Sequence, residues 1–381
     1  MSTHPKTFKN AKLVVANEVF DGSMTVDENG LIENIAAPTE VDGHDCDGDY
    51  LLPGLIELHT DHLETHYAPR PKVRWNTVSA VQAHDAQIAC AGITTVFDAL
   101  RVGMDEDADI GYEDMRALAD AIETGQQEHR LRADHFIHLR CEVSAPDVLN
   151  AFKHFEDDDS IRLISLMDHT PGQRQFVSLD SYKIYYQGKK GFSDAEMDEF
   201  IKRRQERAGS LAPENRKQLS SFAQQRGIAI ASHDDATVAH VDEAIALNTK
   251  IAEFPTTIEA ARASHEQGMA VLMGAPNVVR GGSHSGNVSA RELAEAGYLD
   301  VLSSDYVPVS LIQSAFQLAE EVEAISLPKA VAMVTSTPAQ AIGLEDRGTL
   351  MPGLRADLIQ VKLVGNVPIV RGVWREGKRV A

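Results

Sequence analysis

The sequence predicts an α/β protein: a (β/α)8 TIM-like barrel that carries a small discontinuous β-sandwich built from both ends of the chain. Three observations lead to this reading. The 381 residues exceed one average domain, yet they suit a single barrel of about 250 residues with an appendage. Through the middle of the chain, apolar β-type runs alternate with helical patterns, as a parallel sheet requires. Both ends are instead rich in short strands, too few at either end to close a core alone.

Taken in order, residues 1–52 supply the first part of the sandwich, with strands expected near 11–16, 22–26 and, after the Glu28-Asn29-Gly30 turn, 31–35. The barrel occupies 53–344. Its strands are expected at 54–59, 93–99, 135–142, 161–168, 228–233, 250–254, 270–274 and 301–305, and eight is the number that closes such a barrel. Ser193-Asp194-Ala195-Glu196 reads as a capping box that opens a charged helix, and Gly268 and Gly297 close two others. The stretch 170–226 is far longer than an ordinary βα connection, so it is expected to hold a helical insertion, a candidate lid. Residues 345–381 complete the sandwich: 356–363 and 369–374 are apolar and β-rich, and Glu376-Gly377-Lys378 marks a hairpin turn.

Charge narrows the partners. Lys and Arg total 36 against 57 Asp and Glu, a formal net charge of -21, which argues against nonspecific binding to nucleic acid or to an anionic membrane. A small anionic substrate in a local basic pocket stays compatible with that balance, as does a homo-oligomer. Cys46, Cys90 and Cys141 are widely spaced, so neither a disulfide framework nor a thiolate zinc site is indicated. The opening Met1-Ser2-Thr3-His4-Pro5 carries no hydrophobic signal region, and no apolar run reaches transmembrane length. The expected compartment is the cytoplasm.

The chemistry is organised around residues 51–64, where an apolar run through Leu55-Ile56-Glu57-Leu58 leads into His59-Thr60-Asp61. Alternate residues of a strand share a face, so His59 and Asp61 would project together and hold one divalent cation. Ligand-type residues recur at the carboxyl ends of later strands: Arg140 and Glu142, Asp168 and His169, His233-Asp234-Asp235, Glu253, and Asp305. Singly, each has an ordinary explanation as a cap, a turn or a solvated residue. Together, at the barrel end where such enzymes place their chemistry, they point to a metal site. Imidazoles and carboxylates without thiolate suit zinc, manganese, iron or cobalt, with magnesium open for a second ion. One or two divalent metal ions are therefore expected, zinc first. Asp305, alone on the last strand, is placed to accept the proton of an attacking water or to serve as a further ligand.

Two basic or glycine-rich stretches describe the electrophile. Pro69-Arg70-Pro71-Lys72-Val73-Arg74 puts Arg70 and Lys72 just past the first ligand pair. After the seventh strand comes a loop, Asn277-Val278-Val279-Arg280-Gly281-Gly282-Ser283-His284-Ser285-Gly286-Asn287, whose glycines let backbone N–H groups approach an anion and whose Arg280 can grip phosphate in bidentate fashion. Ser283, His284 and Asn287 add donors. With Arg140 deeper in the barrel, these groups predict a polyphosphorylated substrate.

The motifs Pro53-Gly54-Leu55-Ile56-Glu57-Leu58-His59, Gly348-Thr349-Leu350-Met351-Pro352-Gly353-Leu354-Arg355-Ala356-Asp357-Leu358 and Val373-Trp374-Arg375-Glu376-Gly377-Lys378 resemble those of the amidohydrolase superfamily. Within it, Glu57-Leu58-His59-Thr60-Asp61, Ser165-Leu166-Met167-Asp168-His169-Thr170-Pro171-Gly172, Ala231-Ser232-His233-Asp234-Asp235 and Met273-Gly274-Ala275-Pro276-Asn277 are similar to the diphosphatases of the carbon–phosphorus lyase pathway. That resemblance implies hydrolysis of a triphosphorylated ribose phosphonate, α-D-ribose 1-methylphosphonate 5-triphosphate, to its 5-phosphate and pyrophosphate. It also implies a ligand set of His59, Asp61, Glu142, His169 and His233, with Glu142 as bridging carboxylate by analogy with deacetylases of the superfamily. The chain departs from the usual pattern in three places. Asp61 replaces the second histidine of HxH, His169 stands where a carboxylated lysine is common, and Glu253 stands where histidine is usual. Two other readings use the same fold: a C–N hydrolase such as a deacetylase or cyclic-amide hydrolase, and a nonenzymatic scaffold.

Overall fold

A computed structural model describes residues 7–103, 110–174, 183, 193–282 and 286–381. The first five strands are β1 (Thr7–Val14), β2 (Val19–Val26), β3 (Ile32–Ala36), β4 (His44–Asp45) and β5 (Tyr50–Pro53). Eight follow: β6 (Leu55–Thr60), β7 (Ile93–Val102), β8 (Asp134–Glu142), β9 (Ile161–Met167), β10 (Ala229–His233), β11 (Ile251–Glu253), β12 (Ala270–Gly274) and β13 (Val301–Ser303). The chain finishes on β14 (Leu358–Val364), β15 (Val367–Arg375) and β16 (Lys378–Arg379).

Both ends of the chain share one mixed sheet, in the order β16-β15-β14-β5-β1-β2-β3 with β4 beside β1. Its core gathers Phe8, Leu13, Met24, Leu51 and Trp374, all buried. The Trp374 ring meets Phe8 edge-on, centroids 5.0 Å apart, the geometry that the opposed charge of ring face and ring edge favours. The apolar run through residues 51–58 divides at Gly54, so that Tyr50–Pro53 joins this sheet and Leu55–Thr60 starts the next. Gly54 N donates to Asp357 O at 2.7 Å, and a Cβ there would lie 2.2 Å from Thr94 Oγ1. Only glycine lets the backbone pass so closely at that point.

The second sheet runs β13-β12-β11-β10-β9-β8-β7-β6, and a parallel bridge between Thr60 and Asp305 joins its first strand to the chain just after its last. This is the eight-stranded barrel expected from the sequence, with each strand within a few residues of its expected position. Every residue of β6 and all but one of β7 are buried. Strands covered on both faces need near-continuous apolar sequence, and that is why they were readable. The charged helix Asp194–Arg226 opens on the expected capping box, Glu196 Oε2 accepting from Ser193 N at 2.9 Å, and closes on Gly227 with φ 66°. Residues 175–182 and 184–192 of the expected insertion lie outside the described residues.

One stretch differs from expectation. The segment after β12 opens not as a loop but as the helix Ala275–Arg280, because Pro276 in its first turn pre-sets a helical φ and Gly281, at φ 80°, ends it. By contact the chain divides into two compact units, Met1–Asp98 with Asp120–Phe136 and Met273–Ala381, and Ala99–Ala119 with Ile137–Leu272. No helix among the described residues is long and apolar enough to cross a membrane.

Candidate active site

In the first unit, β6 delivers His59, which is almost fully buried. Two residues earlier, Glu57 accepts hydrogen bonds from His59 N at 2.7 Å, Ser303 Oγ at 2.5 Å and Ser304 N at 2.5 Å. Burial pushes the Glu57 carboxyl up to about 7. Asp305 N donates to His59 O at 3.1 Å and Thr60 Oγ1 donates to Asp305 O at 2.7 Å. His59 and Asp305 are thereby fixed on adjoining strand ends.

The strand ends at Thr60, so the alternation that would pair His59 with Asp61 stops before Asp61. Asp61 is half-buried in the turn that leads to the helix Leu63–Tyr67, its carbonyl accepting from Glu64 N at 3.0 Å. Arg70 and Lys72 are exposed, in a turn closed by an Arg70–Val73 bridge. Arg280 is exposed at the end of its short helix, and Asn287 is half-buried. Ser283 and His284 lie outside the described residues.

In the second unit, His169, His233 and Asp234 converge, each offering a ligand atom within 4.8 Å of the other two. The second nitrogen of each ring is held from behind. His169 Nδ1 lies 2.6 Å from Glu142 Oε2, and His233 Nδ1 lies 3.1 Å from Glu253 Oε2. Both Nε2 atoms are left for Asp234 Oδ2, at 3.8 and 3.5 Å. Asp234 reaches that position through left-handed backbone, φ 57°.

Electrostatics follow from this packing. Burial pushes Asp234 up to about 6 and pulls His233 down to about 3. At His169 burial also opposes the charge, but the Glu142 carboxylate outweighs it and the imidazole is raised. Asp234 Oδ2 is buried without a hydrogen-bond partner among the described residues. An orphaned carboxylate oxygen beside two imidazoles, each oriented by a second carboxylate, fits a divalent cation. Sequence reasoning placed Glu142 among the ligands; in the structure its carboxylate lies against His169 Nδ1. The same reasoning named Asp234 among the ligand-type residues but left it out of the ligand set.

Cations flank this cluster. Arg140, on the same strand as Glu142, acts electrostatically on His169, His233 and Asp234. Arg204 and Arg207, from the helix Asp194–Arg226, line a recess with Glu142, Ser144 and His169. Burial pulls the Arg204 guanidinium down to about 10. Sequence reasoning missed both arginines, although Lys202-Arg203-Arg204 is a cationic run in an acidic chain. Asp168 and Asp235 serve elsewhere: Arg216 donates to Asp168 at 3.2 Å, Arg174 donates to Asp235, and both arginines reach Glu243.

With this geometry in place, comparison with known proteins bears on what the centre does. The sequence profile of the amidohydrolase family matches residues 86–381. The chain belongs to the amidohydrolase family. Within it, the chain is 48% identical over 377 residues to the α-D-ribose 1-methylphosphonate 5-triphosphate diphosphatase of Escherichia coli (strain K12), covering 97% of this chain and 99% of that protein. Among solved structures it resembles the N-acetylglucosamine-6-phosphate deacetylase from Pasteurella multocida, with TM-score 0.65, 14% identity and 98% of each chain covered. It also resembles the 5-methylcytosine deaminase from Klebsiella pneumoniae, with TM-score 0.64, 15% identity and the same coverage. At that identity the two structures carry the amidohydrolase fold alone.

Proposed function

We propose that this protein is a metal-dependent diphosphatase of phosphonate catabolism, hydrolysing α-D-ribose 1-methylphosphonate 5-triphosphate to the 5-phosphate and pyrophosphate. The observation that carries the reading is the 48% identity to the Escherichia coli diphosphatase across nearly the whole of both chains. The residues support it. His169, His233 and Asp234 would hold a divalent cation, zinc first, with manganese, iron or magnesium next. A bound ion of this kind lowers the pKa of water towards about 7 and offsets phosphate charge. Glu142 and Glu253 fix the tautomers of the two rings, so that each presents a lone pair at Nε2. Arg140, Arg204 and Arg207 supply the positive charge that phosphoryl transfer, mostly positioning and electrostatics, demands. Further assignments go to His59 and Asp61 as ligands, to Asp305 as proton acceptor, and to Arg70, Lys72, Arg280, Ser283, His284 and Asn287 as phosphate contacts.

The test is phosphorus NMR of the metal-loaded protein with the ribose triphosphate in oxygen-18 water. Unlabelled pyrophosphate with label in the ribose 5-phosphate is expected, from attack at the α-phosphorus. Label in pyrophosphate would move the attack to the β-phosphorus, and an unchanged spectrum would leave a C–N hydrolase as the better reading. In the same assay Arg204→Ala is expected to raise KM roughly tenfold, the worth of one charge-assisted contact, with bound metal unchanged.

A further inference from the structure

Two arginines of the second unit, Arg174 in the turn that follows β9 and Arg216 on the helix Asp194–Arg226, have no part in the reading above. Both side chains are more than nine-tenths buried. Arg174 Nη1 donates to Asp235 Oδ1, and Arg174 Nη2 donates to Glu243 Oε2 at 2.6 Å. Arg216 Nη1 donates to Glu243 Oε1 at 2.9 Å, and Arg216 Nη2 donates to Asp168 Oδ2 at 3.2 Å. Glu243, on the helix Val238–Ala246, thus gives one oxygen to each guanidinium.

The network lands beside each candidate ligand. Asp168 directly precedes His169, and Asp235 directly follows Asp234. Arg174 Nη1 also lies 3.5 Å from His233 O. Asp234 stands between two residues that this one guanidinium reaches, His233 and Asp235, and its own backbone is left-handed, φ 57°. Such a conformation persists where the surroundings over-determine it. On the other strand end, Asp168 Oδ1 accepts from Thr170 Oγ1 at 2.5 Å and from Thr170 N at 3.2 Å, closing the turn that carries His169. The remaining oxygen of Asp168 is the one that Arg216 holds.

Burying two guanidiniums costs desolvation that pairing with carboxylates often only just offsets, so the network is weak ground for added stability. What it supplies is direction, because a planar guanidinium fork binds carboxylates at fixed angles. A metal centre needs that: its ligands work when held within about 0.5 Å of their places. Asp168, Arg174, Arg216 and Glu243 also line a cavity of about 490 Å³, which gives both guanidiniums room to part once the carboxylate between them is lost.

We propose that Glu243 is a positioning residue of the metal centre: by bridging Arg174 and Arg216 it sets the spacing between the turn that carries His169 and the turn that carries His233 and Asp234. The inference rests on the assignment of those three residues as ligands. Glu243 itself touches neither the ion nor the substrate and acts through the two arginines.

The test uses the full-length protein stripped with chelator. Zinc(II) affinity is measured by competition with a chromogenic chelator, and the visible spectrum is recorded after loading with cobalt(II). Glu243→Gln keeps the side chain's length and one acceptor oxygen but turns an amide NH2 towards one guanidinium. It is expected to weaken zinc binding about tenfold and to change the cobalt spectrum. Arg216→Lys keeps the charge but not the fork that spans two carboxylates, and the same two changes are expected. A merely structural role would lower the urea midpoint of the metal-free variants and leave the spectrum of the folded, loaded protein as it was. Asp234→Asn marks the centre. Zinc affinity equal in Asp234→Asn and the unmodified protein would overturn the ligand set, and the proposal with it. An affinity that depends on Asp234 but is the same, with the same cobalt spectrum, in Glu243→Gln, Arg216→Lys and the unmodified protein would overturn the role of Glu243 alone.

Discussion

At residue 234 the backbone turns left-handed, φ 57°, which aspartate tolerates better than most side chains. That turn separates two neighbours that the sequence presents as equals. Asp234 goes to the imidazoles, whereas Asp235 is taken by Arg174. His169 and His233 were legible because they close apolar strands, but nothing in a His-Asp-Asp run says which acid turns inward. Asp234→Asn keeps size and turn while removing the charge, so it should lose metal and rate together, measured by competition with a chromogenic chelator. Glu253→Gln keeps the ligands and loosens the His233 ring, so it should weaken metal binding by about 10–100-fold. Metal affinity equal to that of the unmodified protein in Asp234→Asn would remove that residue from the ligand set.

Elements were read as well as their burial allowed. Strands buried on both faces announce themselves by composition, and the two-ended sheet announced itself by β-rich termini. The helix Ala275–Arg280 did not, because Asn277, Gly281 and Gly282 weigh towards a loop while six residues leave no periodicity to detect. Arg204 and Arg207 were hidden by an opposite difficulty: on a long charged helix, cations over the site look the same as cations in solvent. The terminal sheet depends on few large residues. Trp374 is buried against Phe8 and His44, at centroid distances of 5.0 Å from each. Trp374→Ala should therefore cost about 3–5 kcal/mol, read as a lower urea midpoint. A midpoint unchanged from the unmodified protein would show that the sheet's core lies elsewhere.

Across the whole chain, distant segments are tied by charge in a protein whose net charge of -21 otherwise disperses it. Asp134, at the start of β8, receives Arg347 at 2.7 Å, Arg355 at 2.8 Å and Arg375 at 3.0 Å, so one carboxylate gathers the returning C-terminal segment. Burial alone would raise its pKa, but Arg355, Arg375 and Arg347 outweigh burial and hold it below the ordinary carboxylate value of 3.8. The folded form then binds a proton less readily than the unfolded form, so the carboxylate stabilises the fold above that ordinary value. The contribution is lost as the pH falls through the depressed one. Asp134→Asn mimics the protonated acid at every pH. At pH 7 it should cost about 1–3 kcal/mol, since Arg347, Arg355 and Arg375 lose a shared acceptor while Arg347 keeps Asp346 and Arg355 keeps Asp357. Urea unfolding of both proteins from pH 7 down to about pH 3 tests the linkage. The gap between them should hold through neutral pH and close towards the acid end, because there the unmodified protein acquires the proton that asparagine imitates. A gap that stays constant to the acid limit would mean that Asp134 contributes by shape alone, without its charge.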